Sequence, residues 1–267
     1  MESYRLKNIV ILILLILNLF LFVLLVHYRF QSERTRQSML EELSELFTAN
    51  AISLSEDLEL DTTPLASLSV QRNLDTEGAI AAMILGESTT AEHQGGGIYS
   101  YTGTYGTIHF RSSGNFDYNP ATPQPVADPL DFCETFCETY GYRQTGTFSG
   151  DSGTYTATQY LGEYPIYNST VSFQFRSGGL ISLSGSYVST ANPAATPTSL
   201  TAVDALMQLL DYRNETGIVC NNIQDIVPVY ELQSGPSASQ QLAAKWQITA
   251  DAYQYYVDCT TGDIIRA

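Results

Sequence analysis

Apolar and polar positions follow two different periods along this chain, and one stretch has no polar face at all. Residues 9–26 are apolar throughout except for Asn18. As a helix rising about 1.5 Å per residue, that run spans about 27 Å, close to the roughly 30 Å hydrocarbon core of a bilayer. A core helix would carry a polar stripe, which this run lacks. A cleaved leader would be shorter and followed by small residues, whereas His27, Tyr28, Arg29 and Phe30 follow here. The pattern predicts a transmembrane helix at 9–26 behind a short cytoplasmic head at 1–8. Met39, Leu40, Leu43, Leu46 and Phe47 then recur every three or four residues up to Asn50, predicting a helix within 27–50. It serves either as a stalk leaving the bilayer or as a packing helix of the first globular module.

Beyond residue 50, short helical patterns alternate with strand patterns. In a first module, 51–120, a strand at 65–70 precedes a helix that Asp75 caps and Gly86 stops, with Ala79, Ala82 and Met83 on one face. Gly95 to Gly97 is a flexible break, and 98–118 reads as two strands with a turn at 112–115. A second module, 121–192, follows a proline-rich linker. Asp128 and Pro129 open its helix, Phe132, Cys133, Phe136, Cys137 and Tyr140 share one face, and Gly141 ends it. Val171, Phe173 and Phe175 alternate, Ser177-Gly178-Gly179 turns the chain, and Ile181 and Leu183 alternate again, which is a half-buried hairpin. The third module, 193–267, opens with a capping box of Thr201 and Asp204, and Val203, Leu206, Met207 and Leu210 share a face. Strands follow at 223–232, 244–250, 253–259 and 264–265. The predicted fold class is α+β: a single N-terminal transmembrane helix followed by helix-plus-antiparallel-meander modules.

Composition sharpens this picture. The chain has 267 residues and a formal charge of −16, which argues against a nucleic-acid binder. With 44% hydrophobic and 15% charged residues it is a folding sequence, and four cysteines are too few for a disulfide-dense scaffold. Only seven of the 12 basic residues but 26 of the 28 acidic ones lie beyond position 36. An acidic body and a minimal head predict a single-pass plasma-membrane protein, N-terminus cytoplasmic and the bulk extracytoplasmic.

Candidate chemistry is sparse. His27, His93 and His109 have no ligand partner at helical spacing, and no zinc, P-loop, dinucleotide or nucleophile-elbow motif occurs. Glu134 and Glu138, like Asp57, Glu59 and Asp61, read as solvated faces rather than an acid–base pair. Cys133 and Cys137 read as buried packing residues, while Cys220 and Cys259 share the last module and are a candidate disulfide that spacing alone does not decide. The expectation is a non-enzyme without cofactor or metal. Tyr99, Tyr101, Tyr105, Tyr253, Tyr255 and Tyr256 fall on predicted strands, where they serve core packing or form a binding face. Asn18 is the one polar group in the apolar run and can hydrogen-bond a partner helix, worth about 0.6–2 kcal/mol.

Two passages carry a resemblance. Tyr160-Leu-Gly-Glu-Tyr-Pro-Ile-Tyr-Asn followed by Val171 to Gly185 resembles the meander of PepSY/FTP modules, small inhibitory and propeptide-like domains. Lys245-Trp-Gln-Ile-Thr with Tyr255-Tyr-Val-Asp-Cys-Thr-Thr-Gly-Asp-Ile-Ile265 is similar to their closing strands. The whole layout, including 70–77 and the stretch to Gly86, resembles the YycH/YycI family. Those are membrane-anchored extracytoplasmic regulators of the cell-wall two-component kinase of Gram-positive bacteria. The resemblance implies no catalytic residues. It implies a regulator that contacts a membrane sensor histidine kinase and a paired sister protein through its membrane helix and outer domain. Asn18, Trp246, Tyr255 and Tyr256 are the candidate partner contacts. The alternative function is a membrane-anchored PepSY-like module that inhibits a secreted peptidase or binds a cell-wall ligand.

Overall fold

The computed structural model describes residues 17–18, 20–22, 39–60, 65–86, 89–193, 200–234 and 240–267. The head at 1–8 and most of the run at 9–26 lie outside the described residues. Residues 17–18 and 20–22 are helical and exposed. Among the described residues no helix is long and apolar enough to cross a membrane.

Helix α1 (39–49) buries Leu43 and Phe47 and turns Glu41, Glu42 and Glu45 outward. Asn50 closes it, its side-chain amide donating to the Leu46 carbonyl at 2.9 Å. Strands β1 (Ser53–Leu54) and β2 (Leu68–Gln71) follow. Helix α2 (Leu74–Leu85) is capped by Asn73, whose side chain accepts from the Asp75 and Thr76 amides. The cap therefore stands two residues before the expected Asp75, because the Asn73 side chain reaches both free N–H groups from an extended backbone. Its buried face is Glu77, Ile80, Ala81, Ile84 and Leu85, about half a turn from the expected Ala79 face.

Strands β3 (Thr90–Gly95), β4 (Ile98–Gly103), β5 (Gly106–Phe110) and β6 (Asn115–Tyr118) form an antiparallel meander, and β7 (Gln124–Pro125) is a short edge piece. The expected break at Gly95 to Gly97 is the tight β3–β4 turn, all three glycines having positive φ. Helix α3 (Pro129–Tyr140) has the Asp128 cap, the N-terminal proline and a left-handed Gly141. Then come β8 (Tyr142–Gln144), β9 (Gly153–Leu161), β10 (Tyr164–Arg176), β11 (Gly179–Ser186) and β12 (Thr190–Pro193). Helix α4 (Ala202–Thr216) carries the full Thr201/Asp204 capping box. Strands β13 (Asn222–Ser234), β14 (Gln240–Ala250), β15 (Tyr253–Asp258) and β16 (Ile264–Arg266) end the chain.

All these strands belong to one hydrogen-bonded sheet, ordered β12-β2-β14-β13-β10-β11-β6-β5-β4-β3, with β15 and β16 continuing from β14. The expected fold class, a transmembrane helix followed by helix-plus-antiparallel-meander modules, is overturned by this large mixed sheet. The pairs β1–β13 and β10–β13 are parallel, and β2 lies between β12 and β14. The physical reason is that alternation fixes which side of a strand faces inward, while its edge N–H and C=O groups accept any strand of matching register. Segments from 64 to about 170 residues apart supply the partners here.

Two cores flank the seam strand β10. One is built by α1, α4 and the strands β13 to β15 around Phe47, Leu206, Trp246, Ile248 and Tyr255. The other is built by α2, α3 and the meander around Ile84, Phe110, Phe116, Phe136 and Phe173. The register of β10 breaks between Pro165 and Thr170. There the Asn168 side chain replaces a backbone rung: its amide donates to the Leu232 carbonyl at 2.9 Å and its oxygen accepts from the Leu232 N–H at 2.8 Å.

Candidate functional site

Strand β14 alternates strictly. Leu242, Ala244, Trp246, Ile248 and Ala250 face the α4 core, so Ala243, Lys245, Gln247 and Thr249 face the other side of the sheet. Lys245 is one of only two lysines in the chain, and its side chain is 3% exposed. A buried ammonium persists only when it is paired. Its Nζ lies 2.9 Å from Glu231 Oε2 on β13 and 3.9 Å from Asp258 Oδ2, its cross-strand neighbour on β15.

Both carboxylates are held in turn. Tyr167 Oη donates to Glu231 Oε1 at 2.6 Å, and Gln233 Nε2 donates to Glu231 Oε2 at 2.6 Å. Burial by itself would raise the Glu231 pKa, but the hydrogen bonds from Tyr167, Lys245 and Gln233 outweigh it and hold the carboxyl below its ordinary value. Burial and the bond to Glu231 push the Tyr167 phenol far up, so it stays a donor. Asp258 Oδ1 accepts the backbone N–H of Thr260 at 2.9 Å and of Thr261 at 3.1 Å. Tyr167 comes from β10 and Tyr256 from β15, three strands further on, and their rings stack at 4.1 Å and 22°. The pair lies on the same sheet face as the ionic group, the side away from α4.

A second polar cluster sits where the chain passes between the cores. Arg72 follows β2 and forms a fork with Glu77 of α2 at 2.6 and 2.9 Å. It also donates to the Gly97 carbonyl at 2.6 Å and lies over the Tyr99 ring at 4.9 Å. The adjoining cavity, lined by Arg72, Glu77, Phe110, Tyr187 and Gln240 among others, holds about 10 Å3, room for one water. With both charges satisfied, the cluster joins the units and leaves no free charge for a ligand.

The sequence-derived candidates scatter. Asn18 is exposed on its helical segment. Trp246 is fully buried and donates to the Leu200 carbonyl at 2.9 Å, and Tyr255 is 1% exposed in the same core. Tyr256 lies on the opposite face, stacked on Tyr167. Cys220 and Cys259 are both buried and unbridged. The backbone N–H of Cys259 donates to the Ala244 carbonyl in the middle of β14, while Cys220 adjoins Asn222, next to the Ala250 end of that strand. Burial pushes the Cys259 thiol up to about 12 and raises Cys220 and Cys137 as well, which makes them poor nucleophiles. Among the described residues no cluster of His, Cys, Asp and Glu can hold a metal ion. Sequence reasoning missed Lys245, Glu231, Asp258 and Tyr167 as a group. The available signal was slight: a lone lysine on the polar side of the β14 alternation, between Ala243 and Gln247.

No protein-family model matches the chain, and no curated protein matches it. Among solved structures it is similar to an uncharacterized protein from Eubacterium rectale, at 10% identity and a TM-score of 0.43, covering 82% of this chain and 91% of that one. It is also similar to the C-terminal domain of YpeB from Bacillus megaterium, at 8% identity and a TM-score of 0.37, covering 74% and 98%. At such scores neither likeness carries an argument about function.

Proposed function

We propose that this chain is a non-enzymatic regulatory protein of the outer face of a plasma membrane, acting on a membrane sensor histidine kinase that controls cell-wall metabolism, together with a paired sister regulator. The observation that carries the reading is the seating of α1. Leu43 and Phe47 are buried in the same core as Trp246 and α4, so the segment following the apolar run is joined to the far end of the chain. A displacement at the membrane side is thereby passed to the outer body, and the reverse. The apolar run at 9–26, the acidic outer composition and the passages at 160–185 and 245–265 that resemble the YycH/YycI family support the same reading. A photoreactive residue at position 18, activated in native membranes, is expected to capture a histidine kinase or a second single-span regulator. Capture of lipid alone would overturn the contact.

A further inference from the structure

The group around Lys245 has the parts of a condensation reaction as well as those of an ion pair. An amine becomes nucleophilic when a neighbouring base takes its proton, and Glu231 Oε2 accepts from Nζ at 2.9 Å. A carboxyl becomes electrophilic when donors are aimed at the oxygen that will carry the developing charge. Two backbone N–H groups, those of Thr260 and Thr261, meet on Asp258 Oδ1. The other oxygen, Oδ2, faces Nζ at 3.9 Å. Nucleophile and electrophile are fixed by the β14–β15 register, in which Lys245 and Asp258 are direct partners. The turn after Asp258 is tied by its own amide, which donates to the Asp263 carbonyl at 2.9 Å. The stacked Tyr167 and Tyr256 rings lie on the same sheet face, and the side chains of the group are largely buried, at 3% exposure for Lys245, 18% for Glu231 and 15% for Asp258.

We infer that Lys245 and Asp258 form an intrachain amide bond, with Glu231 as the proton shuttle. The Lys245 ammonium gives a proton to Glu231, which passes it to Asp258 Oδ2, and the freed Nζ lone pair attacks Cγ of the neutral acid. The tetrahedral intermediate places its negative charge on Oδ1, under the Thr260 and Thr261 amides. The Cγ–Oδ2 bond then breaks as the Oδ2 hydroxyl takes a second proton, released by Nζ, and leaves as water. One ammonium and one carboxylate become one amide and one water, and Glu231 ends as it began. No oxidant, nucleotide or metal enters the balance. Tyr167 and Gln233 act as positioning residues, holding Glu231 against Nζ.

The test is peptide mass spectrometry of the full chain after chymotryptic digestion. The expected result is a branched fragment joining the Lys245 and Asp258 peptides, lighter than their sum by one water, about 18 Da. Trypsin is expected to leave the bond after Lys245 uncut. Lys245→Met and Glu231→Gln are each expected to give the two peptides unlinked, and the second variant retains the shape of the site should the first fail to fold. Unlinked peptides from the unaltered protein would overturn the proposal, as would a link that persists in Lys245→Met. A link formed to the same extent in Glu231→Gln would overturn the assigned shuttle.

Discussion

The two cores are built by different means. The central one is a ladder of rings: Phe110, Phe116, Tyr118, Phe136, Tyr142, Tyr155, Phe173 and Phe175 are all buried, and Phe173 alone meets four other rings edge-on or stacked. It is drawn from one continuous stretch of chain, Ile80 to Leu183. The other core is mainly aliphatic around one tryptophan, and it is assembled from the amino-terminal arm, the start of β10 and the last third of the chain. Rings on neighbouring antiparallel strands give a locally specified core. Branched aliphatic residues on sequence-remote strands give one that exists only once the whole chain has closed.

Four substitutions test that contrast. The largest effect is expected from Phe47→Ala, which empties a fully buried site of the arm and costs about 3–5 kcal/mol. Trp246 is the chain's one tryptophan, so its fluorescence reports the aliphatic core directly, and its urea midpoint should drop sharply. An unmoved midpoint would mean that the arm is not part of that core. Gly185→Ala ranks next. Its added Cβ would lie 2.6 Å from the Thr170 carbonyl oxygen and 3.0 Å from Val171 Cα, so β11 must shift away from β10, costing about 1–3 kcal/mol. Because β10 hydrogen-bonds into both cores, tyrosine near-ultraviolet dichroism and Trp246 fluorescence should lose stability together. Separated transitions would show two independent units. The smallest effect is expected from the helix caps. Asp128→Ala and Thr201→Ala each remove a side-chain acceptor and cost about 1 kcal/mol, read from the same urea midpoints.

Local chemistry was legible in the sequence wherever it is closed within a few residues. The Asp128–Pro129 start and Gly141 end of α3, the Thr201/Asp204 box and the β10–β11 hairpin around Gly178 are all decided by neighbours in the chain. The third strand of the 98–118 stretch escaped notice, because the Gly103 and Gly106 turn looks like any other small-residue pair among tyrosines and threonines. Sheet order was not legible at all. Ser53 pairs with Asn222 and Ile166 with Tyr230 through backbone groups that every residue carries. The site failed for the same reason. Glu231, Lys245 and Asp258 meet only after β13, β14 and β15 have found their register, and the tyrosine that completes the group comes from β10.

The arm also sets an order of events during synthesis. Phe47, Ile52 and Leu58 leave the ribosome first but find their cover only when α4 and the final strands arrive, about 150 residues later. At about 5–20 residues per second that is a wait of about 10–30 s. The central stretch contains its own partners and can close in the meantime. A greasy leading segment left bare for that long invites a holding chaperone, and the last strands to be translated are the ones that release it.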